Sequence, residues 1–254
     1  MSLKSLVEKS YYKDEDGILL HGDCLEVMKE IDDGSIDLIV TDPPYRTTPR
    51  GGTGNSGGMC KKKEFSSGKV FKHNDIKFEE YLPEFYRILK DNSHCYIMCN
   101  NKNIIELQNK CIEYGFHFIK NLIWNKGNKI MGQTYMGQYE YIVFLRKGIH
   151  KKINNCGTPD ILNVPNKKTK NEEGKNIHDT EKPVELMKIL IENSSNENDI
   201  IFEPFSGAGG TIIGAKELGR RYVGVELDEG YCEISKNRLA EVENQKNGGI
   251  IDEI

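Results

Sequence analysis

Ile200-Ile201-Phe202-Glu203-Pro204-Phe205-Ser206-Gly207-Ala208-Gly209-Gly210-Thr211 is the stretch whose reading decides the fold. A short apolar strand, Ile200 to Glu203, runs into three glycines in four positions, and a helix begins at Thr211. Glycines there let backbone approach a ligand closely, and a helix N-terminus offers free N–H groups and a positive dipole end. The pattern G-x-G-x-x-G fails because Ile212 stands where the last glycine belongs, and no Gly-Lys-Ser/Thr follows. A nucleoside-bearing ligand without a pyrophosphate is expected. The next strand, Tyr222 to Leu227, ends in Glu226, where a carboxylate can accept hydrogen bonds from ribose hydroxyls.

Outward from this stretch, apolar periodicity alternates between strand and helix. Strands are expected at Ile18–Leu20, Ile36–Thr41 and His94–Cys99, with helices at Cys24–Ile31, Phe78–Leu89 and Ile104–Tyr114. Phe116–Trp124 and Tyr139–Leu145 read as a hairpin joined through Gly127 to Gly137. A helix follows from Thr180 to about Ile191, then one from Thr211 to Leu218 closed by Gly219, and a last one from Gly230 to Val242 before an acidic tail expected to fray. This is an α/β pattern: a mostly parallel sheet flanked by helices, with an antiparallel hairpin. The continuous apolar run Ile36, Leu38, Ile39, Val40 fits a strand buried on both faces.

That strand stops at Asp42-Pro43-Pro44-Tyr45. Two prolines stiffen the turn, so the Asp42 carboxylate and the Pro43 carbonyl can both accept from one amino group while Tyr45 offers a stacking face. Two acceptors on one exocyclic amine draw its nitrogen out of ring conjugation and free its lone pair. A Pro-Pro chain reversal is the plainer reading of the same four residues.

Hydrophobic residues make up 37% and charged residues 29%, which excludes a wholly disordered or fibrous chain. No run approaches the roughly 20 apolar residues of a membrane span, and Met1 to Asp16 lacks the pattern of a signal peptide. A cytoplasmic location is expected, or a nuclear one in a eukaryote. The seven cysteines contain no C-x-x-C pair and the six histidines no metal-ligand spacing, so no metal is expected. Cys95 and Cys99 alternate onto one strand face and read as core thiols, and Trp124 and Phe205 as core or ligand-wall aromatics.

Net charge is −4, but the charge is segregated. Arg46 to Lys77 carries eight basic residues against two acidic, and Arg146 to Lys175 eight against three. Solvated Lys-rich loops look like this, and so do arms that hold a phosphate backbone.

Asp42-Pro43-Pro44-Tyr45 followed by the glycine stretch, with His-Asp-Thr-Glu-Lys-Pro (178 to 183) just before the latter, resembles the permuted beta class of S-adenosylmethionine-dependent DNA amino-methyltransferases. Leu20-His21-Gly22-Asp23, Ile123-Trp124-Asn125-Lys126-Gly127, Tyr139-Glu140-Tyr141 and Tyr222 to Tyr231 extend the resemblance across Leu19 to Arg238. It implies a circularly permuted, Rossmann-like methyltransferase fold, one catalytic domain over residues 17–240 and a short target-recognition insertion at 147–177; the basic stretch 46–77 lies outside the resemblance and reads from its composition as a mobile loop. The implied reaction is methylation of the N6 amine of adenine in a specific DNA sequence, with base flipping. Cytosine-N4 methylation, an RNA or protein-amide methyltransferase and an inactive cofactor- or DNA-binding subunit are the rivals.

The resemblance also implies roles. Asp42, Pro43, Pro44 and Tyr45 would hold the target base. The segment from Glu203 to Gly209, with Pro204, Phe205 and Gly207, would wrap the cofactor's methionine, Thr180, Lys182 and Pro183 would complete that pocket, and Thr211 would also meet the cofactor. Glu226 would hold the ribose, Leu227 would also meet the cofactor, and Asp23 would lie near the adenine, although Asp23 with Glu26 also fits a helix capping box. From their charge, Arg46, Arg50, Lys61, Lys62, Lys63, Lys151, Lys152, Lys167 and Lys168 in the two basic loops would contact double-stranded DNA. A homodimer and a cognate restriction endonuclease are further partners the resemblance allows. Three positions depart from the usual pattern DPFxGSGTT: Glu203 for Asp, Ala208 for Ser and Gly210 for Thr.

Overall fold

The computed structural model describes residues 3–44, 76–130, 135–170, 174 and 181–248. In chain order the elements are α1 (Leu3–Glu8), β1 (Tyr12–Lys13), β2 (Gly17–His21), α2 (Cys24–Lys29), β3 (Ile36–Thr41), α3 (Phe78–Ile88), β4 (Leu89–Cys99) and α4 (Ile104–Glu113). They continue with β5 (His117–Ile130), β6 (Gly137–Arg146), β7 (Ile161–Asn163), α5 (Val184–Ser194), β8 (Ile200–Glu203), α6 (Gly210–Glu217), β9 (Arg221–Glu226) and α7 (Glu229–Gly248).

One nine-stranded sheet runs β1-β2-β9-β8-β3-β4-β6-β5-β7. Strands β2, β9, β8, β3 and β4 are mutually parallel, while β6 runs antiparallel to both β4 and β5. Alternate side chains explain why the central strands are apolar throughout. Ile39, Phe202, Val223 and Cys95 enter the core under α2, α3 and α4, and Leu38, Val40, Ile201 and Tyr96 enter the one under α5, α6 and α7. Helix α3 buries Phe78, Tyr81, Leu82, Phe85 and Ile88, a stripe at helical spacing. Cys95 and Cys99 share one core face, and Trp124 is buried with its Nε1 donating to the Val164 carbonyl at 2.8 Å.

From β3 the chain crosses through α3 to β4 on one side, and from β8 it crosses through α6 to β9 on the other. Strand order therefore reverses between β3 and β8, and a crevice opens at their carboxyl ends.

Several expectations need correction. The helix expected from Thr180 starts at Val184, because Pro183 (φ −59°, ψ 134°) holds its N-cap position extended and disfavours helix at the residue before it. Thr180 lies outside the described residues. The stretch 147–177 contains β7, which pairs in parallel with Ile123–Asn125 and becomes an edge strand of the sheet. Strand β4 begins at Leu89 rather than His94, and α7 continues past Val242 to Gly248. Helix α1 and strand β1 have no counterpart in the periodicity reading. Tyr45, Arg46, Arg50, Lys61, Lys62 and Lys63 lie outside the described residues, as does most of the 46–77 loop.

Candidate active site

Glu203 closes the strand end that faces the crevice. Its Oε1 accepts from Thr41 Oγ1 at 2.6 Å and from the Phe205 N–H at 3.0 Å, and its Oε2 accepts from Thr211 Oγ1 at 2.8 Å. One buried carboxyl thus ties the ends of β3 and β8 to the start of α6. Burial pushes it up to about 8, against the pull of those three donors. The sequence leaves open whether this longer arm reaches the cofactor's amino group; in the structure both oxygens are spent within the chain.

The turn after Glu203 is held from outside. The Ser206 N–H donates to the Val225 carbonyl at 2.9 Å, and the Gly207 N–H to Glu226 Oε2 at 2.7 Å. Glu226 Oε1 accepts from the Asp228 N–H at 2.8 Å; burial raises the carboxyl and these backbone donors oppose the rise. Gly209 has φ +83° and Ser235 Oγ where a Cβ would lie 2.9 Å away, so only glycine fits. A Cβ on Gly210 would sit 2.9 Å from the Lys182 carbonyl oxygen, which accounts for the loss of the usual threonine there. The Ala208 carbonyl accepts from Arg238 Nη1. Pro204 and Thr211 are buried, Phe205 packs edge-on against Tyr81 at 5.6 Å, and Leu227 is exposed with its carbonyl 3.2 Å from His21 Nε2. Asp23 caps α2 by accepting from the Leu25 N–H at 2.9 Å. The capping box does not form, since the Glu26 carboxylate binds Lys29 instead.

Across the crevice, Asp42 follows β3 directly. Its Oδ2 accepts from Lys182 Nζ, while its Oδ1 is shielded from solvent and finds no donor among the described residues. Lys182 Nζ also lies 3.7 Å from Glu140 Oε2, and Glu140 Oε1 accepts from Lys126 Nζ at 2.5 Å. Lys126 in turn lies over the Trp124 ring. Burial pushes Asp42 up, countered by the Lys182 ammonium; Glu140 is held below its ordinary range by Lys182 and Lys126 despite its own burial. Pro43 is buried and Pro44 half-buried.

The structure thus brings Asp42, Lys182 and the glycine turn to one place, joined by the Thr41–Glu203 bond. Glu181 anchors the neighbouring strap: it accepts from the Thr169 N–H and Oγ1 and pairs with Arg238 at 2.9 Å. Lys167 and Lys168 sit on that strap, between Asn166, whose N–H donates to the Lys126 carbonyl, and Thr169. Lys151 is elsewhere. Its carbonyl meets His94 Nε2 and its Nζ the Ser194 carbonyl, at the end of α5 remote from Lys182. An 11-residue helix is about 16 Å long, so Lys151 and the adjacent Lys152 lie at the opposite edge of the sheet from Asp42.

Lys126, Glu140, Glu181 and Arg238 have no role in the sequence reading. The available signal for the first two is a charge standing beside Trp124 and between Tyr139 and Tyr141, where burial forces a partner. Ser206 Oγ is buried with no partner among the described residues, and no side chain caps α6. An orphaned hydroxyl, an uncapped helix start and a strand-end carboxylate around a left-handed glycine turn fit a group carrying both a ribose and an amino-acid moiety.

A glycine cradle on one wall and a buried acceptor oxygen on the other is the layout of an α/β group-transfer enzyme that uses a nucleoside cofactor. A family model described as DNA methylase, for the N6 and N4 enzymes, matches residues 36–237, and the chain belongs to that family. It is 31% identical over 250 residues to the Type II methyltransferase M.HinfI of Haemophilus influenzae, covering 90% of this chain and 70% of that one. The fold matches the solved M1.HpyAVI–SAM complex with a TM-score of 0.64 and 22% identity, over 88% of this chain and 99% of that one. It also matches the cytosine-N4-specific PvuII DNA methyltransferase, with a TM-score of 0.67 and 15% identity over 93% and 94% of the two chains. The protein is an S-adenosylmethionine-dependent DNA methyltransferase. Among the described residues no helix is long and apolar enough to cross a membrane.

Proposed function

We propose that this enzyme methylates the N6 amine of adenine within a specific sequence of double-stranded DNA, on a base flipped out of the duplex, as a beta-class, permuted member of the family acting through one domain at residues 17–240. The observation that carries the reading is Asp42 Oδ1, an orphaned buried acceptor beside the glycine turn. S-adenosylmethionine supplies an activated methyl group, so the chain needs no covalent nucleophile. Its own task is alignment, which can supply several kcal/mol of barrier reduction. Asp42 Oδ1 and the Pro43 carbonyl accept the two hydrogens of the target amine and localise its lone pair. Lys182 keeps Oδ2 occupied, so Asp42 cannot rotate away. Asp42 Oδ1 is placed to take the surplus proton that the amine would lose once it is methylated. Ser206, Gly207 and Glu226 would hold the cofactor's methionine and ribose, and Tyr45 would stack on the base, offsetting about 1–3 kcal/mol of the cost of flipping.

The partner on this reading is double-stranded DNA, in the cytoplasm, with self-association and a companion restriction endonuclease as further partners to test. To test the reaction, the enzyme is incubated with unmethylated genomic DNA and labelled cofactor, and the DNA is digested to nucleosides. Label in N6-methyladenosine supports the reading; label confined to N4-methylcytosine replaces the substrate base. Asp42→Ala should abolish transfer, by at least about 100-fold, with cofactor affinity nearly intact.

A further inference from the structure

Four ionic groups from four parts of the fold form one alternating line behind the acceptor: Lys126 on β5, Glu140 on β6, Lys182 before α5 and Asp42 after β3. Lys126 and Lys182 side chains are each about one-tenth exposed, and Glu140 about one-fifth. A line of this kind is a poor device for stability, because desolvating four charges costs about as much as their attraction returns. It is also incompletely bonded. Glu140 Oε2 and Asp42 Oδ1 are both buried without a hydrogen-bond donor among the described residues, whereas a purely structural network would satisfy them.

We propose that Glu140 and Lys126 are positioning residues for methyl transfer, setting the charge and orientation of Asp42 through Lys182, a role that rests on the reading of Asp42 as the amine acceptor. Lys182 is shared between two carboxylates. Glu140 draws part of its field away from Asp42, and Lys126 limits how strongly Glu140 can draw. The balance sets how readily Asp42 takes the proton the amine must lose. Among the described residues, the other titratable groups facing Asp42 are Glu203 at the end of β8 and Cys99 at the end of β4.

The alternation makes the sign of each substitution opposite. Glu140→Gln leaves both ammonium groups acting on Asp42, so its carboxyl becomes more acidic and the acid limb of the single-turnover rate moves to lower pH. Lys126→Met leaves Glu140 uncompensated beside Lys182, so the limb moves to higher pH. Each shift should be about one pH unit. The double variant K126M/E140Q restores neutrality and should return the limb toward the wild-type position. A passive brace would instead lower the rate at every pH without a shift, with the double variant the worst.

The measurement is single-turnover methyl transfer by the full chain between about pH 5 and 9, with cofactor affinity and thermal midpoint recorded for each variant. Opposite shifts in the two single variants, with cofactor affinity unchanged within about twofold, support the role. Shifts of the same sign, or none, overturn it, and the two single variants are decisive even if the double variant does not fold. Transfer that survives Asp42→Ala would overturn the acceptor reading itself; loss of transfer there, without opposite shifts in the single variants, overturns only the role of Glu140 and Lys126.

Discussion

At the scale of single residues, Glu203 shows what a sequence does and does not disclose. As an acid at a strand end before a glycine turn it is legible, and so is its departure from the shorter aspartate. Its partners are not, since Thr41 stands 162 positions away and only the sheet order makes them neighbours. Its energetics follow from burial. In the folded chain the carboxyl is pushed up to about 8, whereas in the unfolded chain it titrates near 4.5. Above 4.5 the unfolded state releases the proton and the folded state keeps it, so stability falls as pH rises, until the folded form also ionises near 8. Glu203→Gln keeps the shape and removes the titration. Denaturant unfolding between pH 5 and 8 should therefore show wild type losing up to about 4 kcal/mol relative to the variant, which should gain its largest advantage at the alkaline end. A constant difference across that range would mean that Glu203 is already ionised in the folded chain. Gly210 is the converse case: a position that looks weakened in the sequence proves to be the only residue that leaves room for the Lys182 carbonyl.

At the scale of elements, the sheet is legible where burial is two-sided. Ile36–Thr41 and Ile200–Glu203 have the bounds their apolar runs predict, because a strand covered on both faces cannot hide its pattern. The stretch 147–170 is not legible. Its order comes from the three-residue strand β7, with Leu162 and Val164 buried, and from polar contacts to distant elements: Lys151 on His94 and Ser194, Asn154 on the end of α5, Thr169 on Glu181. No apolar period announces such a strap, so it reads as a loop. Glu181 carries it beside the site, holding Thr169 and Arg238 at once, and Arg238 also holds the Ala208 carbonyl of the glycine turn. Glu181→Ala leaves the guanidinium of a largely buried arginine without its carboxylate, a loss on the order of 3 kcal/mol. The thermal midpoint should drop by several degrees, and cofactor affinity should weaken with it, since strap and glycine turn share that arginine. Unchanged affinity alongside a lowered midpoint would show that the two are held independently.

At the scale of the whole molecule, the question is how a chain of net charge −4 meets a polyanion. Charge counting alone puts Lys151, Lys152, Lys167 and Lys168 in one basic block, but the fold divides that block. Lys167 and Lys168 belong to the strap between Lys126 and Glu181, at the edge where β3 and β8 end and where, on the proposed reading, the target base would arrive. Lys151 and Lys152 sit at the other edge, where Lys151 Nζ reaches the Ser194 carbonyl. Each phosphate neutralised contributes about 0.9 to the log–log dependence of DNA affinity on salt. Lys167→Ala and Lys168→Ala should therefore each flatten that slope by up to about 0.9 and weaken binding at low salt alike for cognate and non-cognate duplexes. Lys151→Ala and Lys152→Ala should leave slope and affinity where they are. Fluorescence anisotropy with a labelled duplex across 50–300 mM salt, about the range in which counterion release is resolved, reads both pairs in one series. Equal effects from the two pairs would require DNA to touch both edges of the sheet, which a straight duplex seated over Asp42 cannot do. That result would move the docking face away from the carboxyl ends of the strands.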